Sequence, residues 1–274
     1  MKRNFAVNRS GITVGIPFYR GSNTEQFQEA VDSILKQTLL PESIHLIQDG
    51  PISDNLARLV ESYVRGNENI QLLRIPQNEG LPYALNYSIL YTTTPYYARM
   101  DADDIAHPER LEKQLTFMEK HPEVDILGTS AWEFKKDPSN ENCFLRKMPA
   151  DKPHIEAFFH YRSPLVHSSV IFRRSVFARI GLYNVHFFTQ QDIELWARAL
   201  RENVVINNLT EPLQYFRTGE TVSRSSEKDN LIRQLRARYK YNTWSPRLNV
   251  LKFSTLAFRL MPFFVKEWGY RRLR

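Results

Sequence analysis

Residues 96–104 read Tyr-Tyr-Ala-Arg-Met-Asp-Ala-Asp-Asp, a short apolar run that ends in three carboxylates. The run from Tyr96 to Met100 predicts a buried strand, and the helical pattern that follows has Pro108 in its first turn. Open α/β sheets bind ligands at the carboxyl ends of their strands, which is where these acids fall. The stretch therefore predicts a ligand site at the end of a buried strand.

The three acids, Asp101, Asp103 and Asp104, cannot all be buried without partners, because each ionised carboxylate would lose its hydration. A divalent cation would offset their repulsion, and Mg²⁺ and Mn²⁺ bind carboxylate oxygens together with substrate phosphate oxygens. The pattern thus indicates a metal ion that bridges the protein to a diphosphate. On these residues alone, a solvated acidic turn that caps the helix is an alternative.

The residues before this stretch alternate between strand-like and helix-like patterns. Strands are predicted at 11–19, 44–48, 70–75 and 96–100, and helices at 24–36, 56–64 and 82–90. This order predicts an α/β fold, with a Rossmann-like, mostly parallel sheet and helices on both faces. Four residues at the strand ends are then expected to share one sheet edge and form a nucleotide pocket: Tyr19, Asp49, Asn78 and Asp101. Asp49-Gly50 and Asn78-Glu79-Gly80 are also ordinary turn sequences.

The second half of the chain is less regular. Strands are predicted at 124–134, 162–173 and 204–215, and a helix follows the loop that begins at Phe187. Asp192 lies near the N-terminus of that helix, where the helix dipole favours a carboxylate. It is either a catalytic acid or an ordinary helix-start residue.

The composition is that of a globular protein, with 274 residues, 42% of them hydrophobic and 24% charged. Cys143 is the one cysteine, which excludes an intrachain disulfide and favours a reducing, cytoplasmic location. The N-terminal residues contain no long apolar segment, so no secretory signal is expected. No uninterrupted apolar stretch reaches the roughly 18 residues of a membrane-spanning helix.

Basic residues are concentrated at the C-terminal end. Residues 231–274 hold eleven Lys or Arg and one acid, a balance of +10, so that residues 1–230 carry −3 of the total charge of +7. We therefore predict a main α/β domain at 1–230 and a basic amphipathic helical tail at 231–274. The main domain shows no basic face in its sequence, so no nucleic-acid partner is predicted.

The tail has the features of a helix that lies on an anionic membrane. Lys252, Thr255 and Arg259 share one helical stripe, apolar residues spread around the rest, and Trp268 and Tyr270 follow. Cations with interfacial aromatic residues favour a peripheral position at the inner face of the plasma membrane. Packing on the main domain or on a second subunit is the alternative.

Five segments, taken in order, resemble the inverting glycosyltransferase family 2, which has the GT-A fold and binds nucleotide sugars. They are Val-Gly-Ile-Pro-Phe-Tyr at 14–19, Gln-Asp-Gly-Pro at 48–51, Asn-Glu-Gly-Leu at 78–81, Met-Asp-Ala-Asp-Asp at 100–104 and Gln-Asp-Ile-Glu-Leu-Trp-Ala-Arg at 191–198. Each alone is a weak signal, but their order and spacing over residues 11–220 make the resemblance specific. The resemblance implies Mn²⁺ or Mg²⁺ at the acidic stretch.

The resemblance also implies roles for the strand-end residues in binding the donor. Pro17 and Tyr19 would line the base pocket, and Asp49 would accept hydrogen bonds from the base, usually uracil in this family. Asn78 and Gly80 would shape the wall of the base and ribose.

The remaining implied roles concern the metal, the sugar and catalysis. Asp101 would lie by the ribose and donor sugar, and Asp103 would hold the ion against the diphosphate with Asp101 beside it as a second metal residue. Asp192 matches the catalytic base. Trp196 would be a wall of the sugar pocket, and His167 falls in a region that often faces the sugar and acceptor in this family.

The chain departs from many relatives at two positions. Gln191 stands where many have Glu, so less upward pressure on the Asp192 pKa is expected. No His follows the late strand to complete the metal site, so either water completes it or Arg217 contributes charge to the diphosphate.

The function implied is transfer of a hexosyl or N-acetylhexosaminyl group from a nucleoside diphosphate donor, UDP in most relatives, with inversion. The acceptor would be a saccharide or lipid-linked saccharide in surface polysaccharide biosynthesis. One alternative is a nucleotide-sugar-binding module without catalysis. Another is a nucleotidyltransferase, although the first strand is not followed by the Gly-rich phosphate loop that such enzymes usually need.

Overall fold

The computed structural model describes residues 10–136, 138, 143–218 and 228–258. Its strands are β1 (Ser10–Tyr19), β2 (Pro41–Asp49), β3 (Ile70–Ile75), β4 (Tyr96–Arg99), β5 (Ile105–Ala106), β6 (Ile126–Phe134), β7 (Phe144–Arg146), β8 (Ile171–Arg173) and β9 (Ile206–Arg217). Its helices are α1 (Thr24–Leu35), α2 (Asp54–Gly66), α3 (Leu81–Tyr91), α4 (Arg110–Lys120), α5 (Lys152–Phe159), α6 (Val176–Ile180), α7 (Gln191–Arg201), α8 (Lys228–Arg238) and α9 (Pro246–Phe258). The elements predicted for the first hundred residues are confirmed, with small shifts at their ends.

The described strands form one sheet in the order β3-β2-β1-β4-β8-β6-β9-β5, and β7 pairs with β6. Strands β3, β2, β1 and β4 run parallel, whereas β8 joins β4 and β6 in antiparallel fashion. Strands β6 and β9 are again parallel. This arrangement confirms the predicted α/β fold class, with a Rossmann-like first half.

The strand predicted at 162–173 is shorter than expected. A 3₁₀ turn at His167–Ser169 interrupts it, and only the three residues of β8 follow. The Ser169 hydroxyl donates to the carbonyl of Val166 at 2.9 Å, and the Thr129 N–H donates to that hydroxyl at 3.0 Å. These bonds replace part of a strand ladder, because a serine hydroxyl can satisfy nearby backbone groups.

Helices cover both faces of the sheet, as predicted. Tyr96 and Ala98 of β4 face one core, which also contains residues of α1, α2 and α4. Tyr97, between them, faces a second core with residues of α3, α6 and α7. One strand supplies both cores because its side chains alternate between the two faces.

Pro17 lies inside β1, paired with Ile47. The pairing of β1 with β4 ends at Gly15 and Arg99. The N–H of Met100 donates to the carbonyl of Gly15 at 3.0 Å, so the backbone of Gly15 faces β4. Pro17, two residues later, has the same orientation. Its missing N–H therefore falls where β4 no longer pairs, and the sheet loses no hydrogen bond.

Helix α8 packs on the rest of the chain. Ala237 of α8 belongs to the second core, and the Arg238 guanidinium donates to the carbonyl of Phe159. Lys240, just after α8, pairs with Glu194 of α7 at 2.5 Å. The division at residue 230 stays a prediction, but α8 shares a core with α7.

Lys252 of α9 faces inward, which corrects its expected place on a cationic outer stripe. It is fully buried, and its Nζ donates to the carbonyl of Tyr241 at 2.6 Å and to Asn242 Oδ1 at 2.9 Å. Carbonyl oxygens thus stabilise the ammonium group in the turn between α8 and α9. The tail predicted for residues 259–274 lies outside the described residues. Within the described part of the chain, no helix is long and apolar enough to cross a membrane.

Candidate functional site

The carboxyl ends of the parallel strands meet at one sheet edge. Tyr19 lies opposite Asp49 at the ends of β1 and β2, and Asp49 lies opposite Ile75 at the end of β3. Asp101 follows two residues after Arg99, where β4 ends. The Tyr19 side chain is 48% exposed and is therefore accessible to a ligand at this edge.

Asp49 organises the turn that follows β3. Its carboxylate oxygens accept the N–H groups of Glu79 at 2.8 Å and Gly80 at 2.9 Å. The Asn78 side chain donates to the main-chain oxygen of Asp49 at 3.1 Å. The acid and the turn therefore form one unit, and each carboxylate oxygen has a further lone pair with which to accept a ligand hydrogen bond. The donor-binding roles stay predictions for Pro17, Tyr19, Asp49, Asn78 and Gly80.

Gly80 is required by its backbone and by its neighbour. Its φ is +87°, a conformation that side chains other than that of glycine rarely adopt, and a Cβ there would lie 3.2 Å from the Phe188 ring. Phe188 is 61% exposed and comes from the loop before α7. Phe188 carries no sequence signal, because nothing in the local pattern shows that this loop reaches the turn after β3.

Asp101 is paired with a buried arginine. The Arg99 guanidinium is 2% exposed and donates from Nη1 to Asp101 Oδ2 at 2.9 Å and from Nη2 to Asp101 Oδ1. Such a two-point pair fixes the plane of the carboxylate. Arg99 was available to sequence reasoning, since an arginine within an apolar strand and beside three acids indicates a buried ion pair.

Asp103 is the exposed acid of the stretch. Crowding by the surrounding protein, and then the charge of Asp101, raise the pKa of Asp103 to about 6. Its carboxylate is the accessible one at this edge. A cation that bound it would favour the ionised form and reverse this shift.

Asp104, the residue after Asp103, is buried, with an exposure of 1%. Its Oδ1 accepts the N–H of Arg217 at 2.7 Å, and its Oδ2 has no hydrogen-bond partner among the described residues. Burial, and then the charges of Asp101 and Asp103, raise the pKa of Asp104 to about 8. Its neutral form is therefore favoured at neutral pH.

Arg217 fastens this acidic stretch to β9. Its Nε donates to the main-chain oxygen of Asp103 at 2.8 Å, its Nη1 to that of Lys136 at 3.0 Å, and its Nη2 pairs with Glu29 at 2.5 Å. Three of its donors are thus used within the protein. A direct contact between Arg217 and a diphosphate stays a prediction, and the structure adds a positioning role.

Asp192 is half-buried in the first turn of α7. Burial raises its pKa, while the backbone N–H of Ile193 and the charges of Arg99 and Arg238 oppose the shift. A carboxylate with a raised pKa is a better proton acceptor than a free one. The catalytic role of Asp192 stays a prediction, and its environment suits that role.

His167 packs against Tyr183 and lies near the charge of Arg99. Its Nε2 lies 2.8 Å from the Tyr183 hydroxyl, and burial, together with Arg99, holds the pKa of His167 well below its usual range. Asn86 fixes the backbone of Tyr183 through two hydrogen bonds of 2.8 Å. Tyr183 carries no sequence signal, because only the fold brings it against His167.

Trp196 does not line the cleft, which corrects the prediction for this residue. It is fully buried, stacked on Phe172 at 6.0 Å between ring centroids, with the His167 ring edge-on at 5.9 Å. Position 196 is one helical turn after Asp192 on the same side of α7, but its side chain is buried whereas that of Asp192 is half-buried. Trp196 supports His167 from behind and cannot touch a sugar in the cleft.

The acids fit a divalent ion that is bound partly by substrate. Among the described residues, no three His, Cys, Asp or Glu side chains converge as a metal site. Mg²⁺ sites in nucleotide enzymes commonly use one or two carboxylates together with substrate phosphates. An accessible Asp103 beside the strand ends meets that requirement.

Two family profiles match the chain. Glycosyl transferase family 2 matches residues 13–181, more than half of the chain, and Glycosyl transferase family group 2 matches residues 98–270. Amylovoran biosynthesis glycosyltransferase AmsE of Erwinia amylovora is 30% identical over 270 residues, which cover 96% of this chain and 98% of that protein. The UDP-Gal:alpha-D-GlcNAc-diphosphoundecaprenol beta-1,3-galactosyltransferase of Escherichia coli is 28% identical over 250 residues, 89% of this chain and 90% of that protein.

A solved structure shares the fold. The mannosyltransferase PcManGT of Pyrobaculum calidifontis, in complex with GDP-Man and Mn²⁺, superposes with a TM-score of 0.63 at 13% identity, over 97% of this chain and 80% of that chain. The likeness confirms the GT-A fold that the sequence motifs predict. Since the family profile matches more than half of its length, the chain belongs to glycosyltransferase family 2.

Proposed function

We propose that the protein is an inverting, metal-dependent glycosyltransferase that moves a hexosyl or N-acetylhexosaminyl group from a UDP-sugar. The observation that carries this proposal is the presence of two acids near the charge of Arg99: an exposed one, Asp103, and a half-buried one with a raised pKa, Asp192. Sugar transfer needs charge neutralisation at the leaving group and a base at the acceptor. The two acids suit these two tasks.

The donor would lie along the sheet edge, with its base near Tyr19 and Asp49 and its diphosphate near Asp103. Mn²⁺ or Mg²⁺, when bound at Asp103, would neutralise the charge that develops on the departing diphosphate. Asp192 accepts the proton of the acceptor hydroxyl as that oxygen attacks the anomeric carbon. Attack opposite the leaving group inverts the anomeric centre, so no covalent intermediate with the protein is required.

The acceptor is a saccharide or a lipid-linked saccharide in surface polysaccharide biosynthesis. Two relatives support this class by their names: one is a glycosyltransferase of amylovoran biosynthesis, and the other acts on a diphosphoundecaprenol-linked GlcNAc. The neutral pair of His167 and Tyr183 would meet the sugar through hydrogen bonds. A buried neutral imidazole can donate from one nitrogen and accept at the other.

The location proposed is the cytoplasmic face of the membrane, where the protein would bind peripherally through α9 and the basic residues beyond it. Support comes from the outer side of α9 and the loop before it, where large apolar side chains are exposed. Trp244 is fully exposed, and Val250 and Phe253 are exposed at 65% and 66%. Exposed aromatic and aliphatic residues beside cations suit the interface of an anionic bilayer.

The function is tested by nucleotide release from a panel of UDP-, GDP- and dTDP-sugars, with Mn²⁺ and with a chelator. Metal-dependent release from one UDP-sugar, lost in Asp103→Asn and retained in the matched surface variant Asp54→Asn, supports the proposal. Release that is indifferent to the chelator overturns the metal dependence. Nucleotide-sugar binding with no release, even with lipid-linked acceptors, favours the binding module.

The membrane location is tested by flotation with vesicles of phosphatidylglycerol. Because α8 is part of the core, point variants are preferable to truncation. Trp244→Ser with Phe253→Ser should release the protein from the vesicles. Leu90→Ser, which changes a side chain of α3 that is 70% exposed, is the control and should leave binding unchanged. Equal flotation of all variants would contradict the proposed surface.

A further inference from the structure

Arg99 is held rigidly at the end of β4. Its backbone N–H donates to the carbonyl of Val170 at 2.8 Å, and its carbonyl accepts from Arg110 Nη2 at 2.7 Å. The next N–H, that of Met100, donates to Gly15 at 3.0 Å. The guanidinium is 2% exposed. Both backbone and burial therefore prevent Arg99 from following a carboxylate that moves.

Both oxygens of Asp101 are bonded to this fixed guanidinium. A divalent cation that took the same oxygens would stand close to a buried positive charge, and the repulsion between the two cations is only weakly screened there. Arg99 thus makes Asp101 a poor metal ligand. The charge of Arg99 also acts on the Asp103 carboxylate. Among the described residues, however, no guanidinium is bonded to that carboxylate, and Arg217 approaches Asp103 through its main-chain oxygen.

Asp104 is also inaccessible to a metal ion at this sheet edge. It is 1% exposed, and its Oδ1 is bonded to the Arg217 N–H. Of the three acids in the stretch, Asp103 is the one that is open to a cation. A single carboxylate binds Mg²⁺ or Mn²⁺ weakly unless phosphate oxygens complete the shell.

We propose that Arg99 is a positioning residue that withholds Asp101 from the metal, so that the divalent ion binds together with the donor diphosphate and not on its own. The proposal rests on the metal dependence in the proposed function. It changes the role predicted for Asp101, which becomes a carboxylate oriented by Arg99 and not a metal ligand.

The proposal predicts an unusual result for a variant that loses the positive charge of Arg99: tighter binding of a divalent cation. Arg99→Gln releases Asp101 and removes the repelling guanidinium, so two carboxylates become available to a cation. Binding of Mn²⁺ without nucleotide should then tighten, by about tenfold or more. A purely structural role for Arg99 gives the opposite result, because a damaged site binds metal less well.

The experiment is a titration of the full chain with Mn²⁺, in which electron paramagnetic resonance measures free Mn²⁺. It is done with and without UDP and is corrected for the Mn²⁺ that UDP binds in solution. In the wild type, UDP should tighten Mn²⁺ binding at least about tenfold. Arg99→Gln should lose most of this dependence on UDP, and Arg99→Gln with Asp101→Asn should return to weak binding without nucleotide.

Two results overturn the proposal. One is a wild-type protein that binds Mn²⁺ equally well with and without UDP. The other is Asp101→Asn weakening Mn²⁺ binding as much as Asp103→Asn does, which would make Asp101 a metal ligand. If Arg99→Gln lowers the melting temperature sharply, Arg99→Lys serves instead. It keeps the charge but loses the two-point pair, and it should tighten binding less than Gln in a sound protein.

Failure of the proposed function would give a different result in the Mn²⁺ titrations. If the wild type binds no Mn²⁺ even with UDP, the metal dependence is wrong, and the role of Arg99 falls with it. If Mn²⁺ binds with UDP but the Arg99 variants leave the dependence on UDP unchanged, only the role of Arg99 is wrong.

Discussion

The acidic stretch at 101–104 and the first turn of α7 both place carboxylates near the charge of Arg99, but the protein controls the charge of these carboxylates in different ways. In the acidic stretch, Arg99 pairs with one acid, burial favours the neutral form of another, and Asp103 stays open. In α7, Asp192 stands in the first turn with its pKa raised by burial. Under the proposed function, one region prepares an acid to hold a cation and the other prepares an acid to accept a proton.

The difference teaches that the number of acids in a motif does not give the number of ligands. A carboxylate is available to a metal ion only if it is exposed and its oxygens are not already bonded to a guanidinium. Substitutions in the two regions can therefore test whether their acids have different tasks.

The largest effect is expected from Asp192→Asn, which removes the proton acceptor and keeps the shape. We expect kcat to fall by about 10²- to 10⁴-fold, as for loss of a general base. The affinity for UDP with Mn²⁺, measured by calorimetry, should be unchanged. Glu202→Gln, at the exposed end of the same helix, is the control. Near-normal turnover of Asp192→Asn would show that the base lies elsewhere.

Asp103→Asn should reverse this pattern. Removal of the open carboxylate is expected to weaken Mn²⁺ binding in the presence of UDP by about 10- to 100-fold or more, since even an outer-shell change has that effect. Turnover at subsaturating Mn²⁺ should fall in parallel. Excess Mn²⁺ should restore part of the activity of Asp103→Asn and none of that of Asp192→Asn. Rescue of both variants, or of neither, would remove the proposed contrast between the two regions.

Tyr183→Phe tests the pair that lies between the two regions. The change deletes the hydroxyl at 2.8 Å from His167 Nε2 and leaves the ring in place. A lost hydrogen bond of about 0.5–1.5 kcal/mol corresponds to roughly a 3- to 10-fold loss of kcat/KM for the donor. His167→Gln should give a loss of similar size, and the double variant little more, because both act through one bond. Additive losses would show that the two side chains act independently.

The last prediction concerns stability and not activity. The pKa of Asp104 is about 8 in the folded chain against 3.8 for an ordinary Asp, so between these pH values the folded state binds more protons than the unfolded state. Without metal, stability should therefore fall as the pH rises from about 4 to about 8. Asp104→Asn should flatten this part of the profile of melting temperature against pH. An unchanged profile in the variant would show that Asp104 does not set the slope.

The first four strands were predictable because parallel strands covered on both faces have nearly continuous apolar sequences. The second half was harder to predict. The 3₁₀ turn at His167–Ser169 depends on the Ser169 hydroxyl and on Thr129, forty residues away. Local patterns contain no information on such a partner, so the segment reads as a longer strand.

The corrected side chains share one cause. The resemblance implied a place for Trp196 in the wall of the sugar pocket, and helical spacing placed Lys252 on one stripe with Thr255 and Arg259 in a helix expected to lie on a membrane. Helical spacing shows which residues share a side, but not which side faces inward. The core decided this for Trp196, and the carbonyl oxygens between α8 and α9 decided it for Lys252.

The sequence by itself determined the order of the elements, the strand-end motifs and the identities of the acids, because these depend on local periodicity and residue type. Only the tertiary structure decided which acid is open. Asp104 is bonded to Arg217, 113 residues later in the chain, and the neighbours that bury it come from distant segments. Charge is a property of the residue, but its availability depends on burial and on partners that folding brings together.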